Sequence, residues 1–210
     1  MPNFQKIVDI LSNAFCILDF SYIVSGGFTL GIILFDLHYH YYDFFIRNIP
    51  ITIVCGIFLA YICGLSSWII GKLIRKIFQD TDKDFEETYN KTIDALASNT
   101  LSLSVSDKKL AYSYMWIELH KKKEAKERIV FMNRMWVMQA VFEGLIFSFI
   151  VAIGALTDLK WGLNKDIPWF EFIVISAVLL SLVCLSAIEA RRYARIQIRE
   201  VILSYYSYFR

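Results

Sequence analysis

Four apolar runs separated by polar punctuation organise this chain. The first, FSYIVSGGFTLGIILF, lies within residues 19–35 between Asp19 and Asp36. It is short against the roughly 20 residues a membrane-crossing helix needs, so its helix must borrow from its flanks. The second, ITIVCGIFLAYICGLSSWIIG, follows Pro50, is long enough to span, and continues as a helical pattern to Phe78. The third covers residues 135–156 and the fourth residues 169–188, joined by a short loop carrying Asp158, Lys160, Lys165 and Asp166. Two membrane hairpins, residues 19–78 and 135–188, therefore flank a charged, Lys-rich insert of residues 79–134. Ahead of them, residues 2–18 read as an amphipathic helix, with Phe4, Ile7, Val8, Leu11, Phe15 and Leu18 at helical spacing, which makes residues 1–18 a segment suited to lie on the membrane face.

The insert has its own periodicity. Phe85, Tyr89, Ile93 and Leu96 recur every three to four positions among acids and lysines, predicting a short amphipathic helix that breaks at NTLSLSVS. Ser106 and Asp107 are suited to cap a second helix. No Pro or Gly occurs from Asp107 through Glu143, so the pattern predicts one continuous helix into the third span, whose polar part would be roughly 40 Å long. The tail, residues 189–210, carries Arg191, Arg192, Arg195 and Arg199 opposite an apolar side of Ile196, Val201, Ile202 and Tyr205. The predicted class is an all-α integral membrane protein with four transmembrane helices, extended into a helical bundle beneath the membrane.

Composition agrees. The chain is 57% apolar, 16% aromatic and 20% charged, with a mean hydropathy of +0.47, too apolar for a soluble domain of 210 residues. A net charge of +2 argues against a broad basic nucleic-acid face. Placement matters more: lysines and arginines crowd the end of the second span, the approach to the third and the tail, whereas the hairpin turns hold only Arg47, Lys160 and Lys165. The positive-inside rule then puts both termini and the insert in the cytosol. Asp9 and Asp19, with no small-residue cleavage site, argue against a cleaved signal peptide.

Few residues stand out chemically. Glu143 lies two turns inside the third apolar run, with Gln139, Arg134 and Asn133 before it. An acid at such depth costs about 2.5 to 3.5 kcal/mol by insertion scales and marks either a polar path or a pairing partner, Arg134 or a polar group on another helix. Gly56, Ala60, Gly64, Ser67 and Gly71 form a small-residue face on the second span, and Gly27 and Gly31 on the first. Such faces pack helices within one subunit, or form a seam between subunits or a narrow pore lining. Glu189 and Glu171 read as interfacial charges. HYHYYDFF, residues 38–45, reads as an interfacial aromatic belt rather than a zinc site, because His38 and His40 lack neighbouring ligands and His120 falls on the predicted opposite side. Cys16, Cys55, Cys63 and Cys184 sit in or beside apolar runs with no metal spacing. Neither metal nor cofactor is expected.

HKKKEAKER, residues 120–128, pairs Lys123 with Glu127 and Glu124 with Arg128 at helical spacing, as on a solvated helix face. Lys121, Lys122, Lys123 and Arg128, with Arg191, Arg192 and Arg195, are the candidates for docking an acidic partner, an oligonucleotide or anionic lipid. Tyr112, Tyr114, Trp116 and Trp136 offer stacking surfaces, or the core of the insert. No GxSxG, HExxH, Walker loop or paired-Cys zinc pattern occurs, which disfavours an enzyme.

The layout of nearly the whole chain, with the helix-entry run RIVFMNRMWVMQAVFEGLIF at residues 128–147, resembles small multi-spanning membrane subunits of bacterial anti-phage systems of the Kiwa and Hailong type. The resemblance implies a membrane effector in antiviral defence and transfers no catalytic or binding residue. The expected function is a homo-oligomeric channel or pore-type effector in the lipid bilayer, gated through its cytosolic helices. The alternative is a non-conducting anchor and sensor that recruits a soluble effector. A small transporter or membrane enzyme using Glu143 is weaker, since no matching span supplies a second acid or nucleophile.

Overall fold

In a computed structural model, residues 17–40, 49–96, 107–163 and 166–209 are described, and they form an all-α protein without strands. Helix α1 is Ile17–His40, α2 Ile49–Phe78, α3 Thr81–Leu96, α4 Lys108–Lys121, α5 Lys126–Trp161 and α6 Trp169–Tyr208, with a 3-10 turn at Lys123–Ala125 between α4 and α5. Segments of α1, α2, α5 and α6 are long and apolar enough to cross a membrane. The first span borrows from its flanks as expected, since α1 runs past Asp36 to His40. The fourth run and the tail are one unbroken helix. The expected amphipathic helix of residues 2–18, the NTLSLSVS break, Ser106, Arg47, Lys165, Cys16 and residues 41–45 of the aromatic belt lie outside the described residues, apart from the last two residues of the first of these.

The continuous helix from Asp107 into the third span is not formed. Asp107 does cap α4, its side chain accepting from the Lys109 and Leu110 amides at 2.9 and 3.3 Å. But α4 stops at Lys121, and Lys122 takes extended backbone angles of φ −90° and ψ 119°. The cause is tertiary: helix propensity favours continuing through KKKEAK, but packing overrides it with a turn that places Ala125 and Met132 in the same core as Met115 and Leu119. Lys122 Nζ lies 4.8 Å from the centre of the Phe209 ring, and the Tyr208 hydroxyl donates to the Glu124 carbonyl at 3.1 Å, pinning the turn.

The described residues form two compact units, one within Met1–Arg75 and Ala140–Ala190, the other within Lys76–Gln139 and Arg191–Arg210. The second has an ordinary hydrophobic core. Ala111, Met115 and Leu119, four residues apart on α4, meet Tyr89 of α3, Met132 of α5, and Val201, Ile202 and Tyr206 of α6. Met115, Leu119 and Met132 are wholly buried, each a contribution of about 1.5 to 3 kcal/mol. Phe85, Tyr112 and Trp116 pack around this core, whereas Tyr114 and Trp136 are exposed.

The first unit reverses the usual distribution. Large apolar side chains such as Phe58, Ile173, Leu180 and Leu185 stand exposed, while Ser21, Ser25, Thr29, Ser67, Ser148, Arg75 and Glu143 are buried. Apolar outside and polar inside is what hydrocarbon solvent selects, because a polar group facing lipid has no partner there.

Candidate functional site

The buried polar groups come from three stripes at four-residue spacing, which puts each stripe on one helix face. Helix α1 supplies Ser21, Ser25 and Thr29; α2 supplies Ser67, Gly71 and Arg75; α5 supplies Gly144 and Ser148, with Glu143 beside them. Small residues let the three helices close on one another. A side chain at Gly64 would overlap the Tyr22 backbone, and one at Gly26 would overlap the Ala60 carbonyl and the Gly64 backbone. A Cβ on Gly71 would overlap the Glu143 carbonyl, and one on Gly144 would stand 2.6 Å from the Ser25 Cβ.

Glu143 is 1% exposed and both its carboxylate oxygens are satisfied from α2. Arg75 Nη2 donates to Oε1 at 2.7 Å, and the Trp68 indole N–H donates to Oε2 at 2.8 Å. Trp68 is held in turn by Tyr22, whose ring centre is 5.5 Å away, and by Lys72, whose ammonium lies 5.2 Å over the indole. Arg75 is only 7% exposed, and its Nε has no hydrogen-bond partner among the described residues. Although Arg75 stands between Lys72 and Lys76 at the basic end of the second span, pairing with Glu143 draws it inward, since an isolated acid in this interior would cost far more than the pair.

A hydroxyl seam belongs to the same unit. Thr29 Oγ1 lies 3.0 Å from Ser67 Oγ and 2.7 Å from Ser148 Oγ, joining α1, α2 and α5 at one point. Each hydroxyl also lies within hydrogen-bond distance of a carbonyl on its own helix, Ser67 of Cys63 at 2.7 Å and Ser148 of Gly144 at 3.0 Å, so with one proton apiece the three hydroxyls share their donors between carbonyls and one another. Ser148 also reaches the Ser25 carbonyl at 3.2 Å. The result is a chain of donors and acceptors within apolar helices, close to a buried carboxylate and guanidinium of cancelling charge.

Of the other residues singled out by sequence, Asn133, Arg134 and Gln139 belong to the second unit, half-buried, exposed and half-buried. Arg134 is therefore not the partner of Glu143; Arg75 is. Ala60, Gly64 and Gly71 pack within the chain, but Gly27, Gly31 and Gly56 have nothing within 4 Å of where a Cβ would stand. Gly27 and Gly31 line an apolar groove of about 490 Å³ with Phe35, Ala152, Ala155 and Leu179. His40 meets Asp158, 118 residues away in sequence, a contact that reading His38 and His40 as an aromatic belt does not contain.

The basic docking candidates are largely engaged within the second unit. Arg191 and Arg195 both donate to Asp84 Oδ1, Arg195 at 2.9 Å. Burial alone would raise the Asp84 carboxyl, but the two guanidinium groups outweigh it and hold the acid below its ordinary range. Lys121 pairs with Glu118 at 2.5 Å and Arg128 with Glu200 at 3.5 Å, while Lys123 and Arg192 are exposed. The pairing of Lys123 with Glu127 and Glu124 with Arg128 presumes α-helical spacing, whereas Lys123–Ala125 form a 3-10 turn ahead of α5 and Arg128 pairs with Glu200. Sequence reasoning missed Arg75, Trp68, Asp84 and the Thr29–Ser67–Ser148 contact; the four-residue recurrence of Ser21, Ser25 and Thr29 was the signal available for the last.

No protein-family model, no curated protein and no solved structure matches this chain.

Proposed function

We propose that the protein is a non-enzymatic, homo-oligomeric membrane channel whose resting state is held shut by the Glu143–Arg75 pair. The observation that carries this reading is a fully buried ion pair, hydrogen-bonded to Trp68, inside helices apolar enough to cross a bilayer. Burying two ions costs several kcal/mol each, and replacing such a pair by apolar groups is often neutral or stabilising, so fold stability alone is a weak reason to keep it. Ionisable groups at such depth characteristically serve ion paths and gates. The hydroxyls of Thr29, Ser67 and Ser148 supply oxygens that can replace part of a cation's hydration shell once the pair separates.

Four spans enclose little space by themselves, so the path requires several copies around a symmetry axis. The open Gly27, Gly31 and Gly56 are the natural positions for close approach between copies. The distribution of Lys and Arg supports cytosolic termini and a cytosolic insert of residues 79–134, which receives the triggering signal, and the resemblance to anti-phage subunits supports a bacterial inner-membrane setting. Depolarisation on infection would then be the physiological output, in keeping with the resemblance of its hydropathy layout to anti-phage membrane subunits.

A non-conducting anchor that recruits a soluble effector is the second reading, favoured by the satisfaction of both Glu143 oxygens within a single chain. Ion flux separates the two. In liposomes, Glu143→Gln and Arg75→Met each raise cation leak above the low level of the unchanged protein. Absence of flux from all three proteins, inserted and folded, at every applied potential overturns the channel in favour of the anchor.

A further inference from the structure

At the end of the first unit formed by the α1 C-terminus, three side chains from two helices converge. Asp36 and His40 stand one turn apart in the last turns of α1, and Asp158 in the last turn of α5. One oxygen of Asp36, the His40 ring nitrogen and one oxygen of Asp158 all lie within 4.8 Å of one another. His40 Nε2 and Asp158 Oδ2 are 2.5 Å apart.

Among the described residues, the surroundings of these groups favour a cation. Two carboxylates sit at the C-terminal ends of two helices, where the backbone dipole already contributes about half a negative charge each, so the local field repels rather than holds them. Asp36 Oδ1 is buried and has no hydrogen-bond partner among the described residues, a lone pair set shielded from water. The nearest lysine by sequence is turned to other work: Lys160 Nζ donates to the Ile167 carbonyl at 2.7 Å and lies 3.9 Å over the Trp169 ring.

The backbone fixes the acid from α5. The Gly162 and Leu163 amides both donate to the Asp158 carbonyl, at 2.7 and 3.0 Å. A Cβ at Gly162 would overlap Asp158 Oδ1, so glycine at this position leaves room for the carboxylate. His40 and Asp158 keep 35% and 40% side-chain exposure, which leaves an entry route for an ion.

We infer that Asp36, His40 and Asp158 form a site for a divalent first-row transition metal, Zn²⁺ foremost, with water in the open position. A tetrahedral zinc ion with ligands at about 2.0 to 2.2 Å sets ligand atoms roughly 3.3 Å from one another, inside the spread seen here. His40 and Asp158 must move apart by less than about 1 Å to admit it. One imidazole and two carboxylates favour Zn²⁺ or Mn²⁺ over Mg²⁺ and Ca²⁺, which take oxygen ligands. Two carboxylates with a neutral imidazole match the charge of a dication. The site ties α1 to α5 and is independent of whether the chain conducts.

The test uses the full chain in nanodiscs, stripped of metal and then equilibrated with Zn²⁺ or Co²⁺. Expected are about one zinc per chain after gel filtration and a Co²⁺ visible spectrum of tetrahedral intensity. His40→Ala and Asp158→Asn weaken zinc binding at least tenfold and abolish the Co²⁺ bands, while His38→Ala, two residues away, leaves both unchanged. Asp36→Asn, isosteric and so least disruptive to folding, weakens binding and shifts the bands. If the unchanged protein takes up no more zinc than Asp158→Asn, the hydrogen bond between His40 and Asp158 accounts for the contact and the site is refuted. Equal binding by all variants marks adventitious histidines and refutes it equally.

Discussion

Arg75 Nη2 stands 2.7 Å from Glu143 Oε1, joining α2 to α5 through charges that are 7% and 1% exposed. Removing one partner leaves the other as an uncompensated charge in an apolar unit, a loss of about 3 to 5 kcal/mol. Removing both charges with shape retained avoids that cost. Arg75→Met alone should therefore lower the detergent melting temperature sharply. Arg75→Met combined with Glu143→Gln should recover most of the loss, because the Gln oxygen still accepts from the Trp68 indole. A double-mutant cycle by thermal unfolding measures the coupling, and a value near zero contradicts the buried pair.

Thr29 is the shared member of the hydroxyl seam, with Ser67 and Ser148 at 3.0 and 2.7 Å. Hydrogen bonds between membrane helices are worth about 0.6 kcal/mol on average and at most about 1.7. Thr29→Val keeps the shape and removes both contacts, so the expected loss is roughly 1 kcal/mol, well below that at Arg75. Steric-trap or reversible detergent unfolding resolves this ranking, which reverses if hydroxyls rather than charges hold α1 against α2 and α5.

The glycines divide sharply. Gly64→Ala and Gly71→Ala drive a methyl into the Tyr22 and Glu143 backbones, which cannot retreat as a flexible side chain would. Each should cost at least about 1 to 3 kcal/mol, as overpacking does. Gly27→Ala and Gly56→Ala meet open space. They should leave monomer stability within about 0.5 kcal/mol, the ordinary range for substitutions that meet no neighbour. If those two instead shift the oligomer distribution in analytical ultracentrifugation, the open glycines mark contacts between copies.

Hydrophobic patterning made most of the architecture legible. Apolar runs of near-spanning length located α1, α2, α5 and α6, and the Phe85–Tyr89–Ile93 spacing located α3. What escaped is what depends on partners distant in the chain. The break at Lys122 has no Pro or Gly to announce it; it follows from placing Ala125 and Met132 in the core built around Met115 and Leu119. Glu143 is conspicuous because an acid interrupts an apolar run, whereas Arg75 sits among Lys72 and Lys76 and looks interfacial until α5 is brought beside it. His40 and Asp158 belong to different hairpins, and no local spacing reports that they meet.

Asp84 makes the second unit acid-sensitive in a way that can be isolated. It is 12% exposed in its side chain and accepts from Arg191 and Arg195, whose guanidinium groups hold its carboxyl below the ordinary value of 3.8 despite burial acting in the opposite direction. With the folded-state value lowered, the unfolded chain takes up the proton first as pH falls. The stabilisation is then complete above about 4, declines below it, and is gone once the folded carboxyl is protonated. Two charge-assisted bonds to half-exposed arginines amount to about 2 kcal/mol. Asp80, Asp82 and Glu87 are lowered too, so the acid limb of the unchanged protein has several contributors. Asp84→Asn resolves the share: it should melt lower at pH 7, and the gap to the unchanged protein should narrow as pH falls below about 4 and the Asp84 carboxyl takes up its proton. Circular dichroism melts across pH 2 to 7 read the convergence, and a constant offset over that range would show that the arginines bind Asp84 by shape rather than charge.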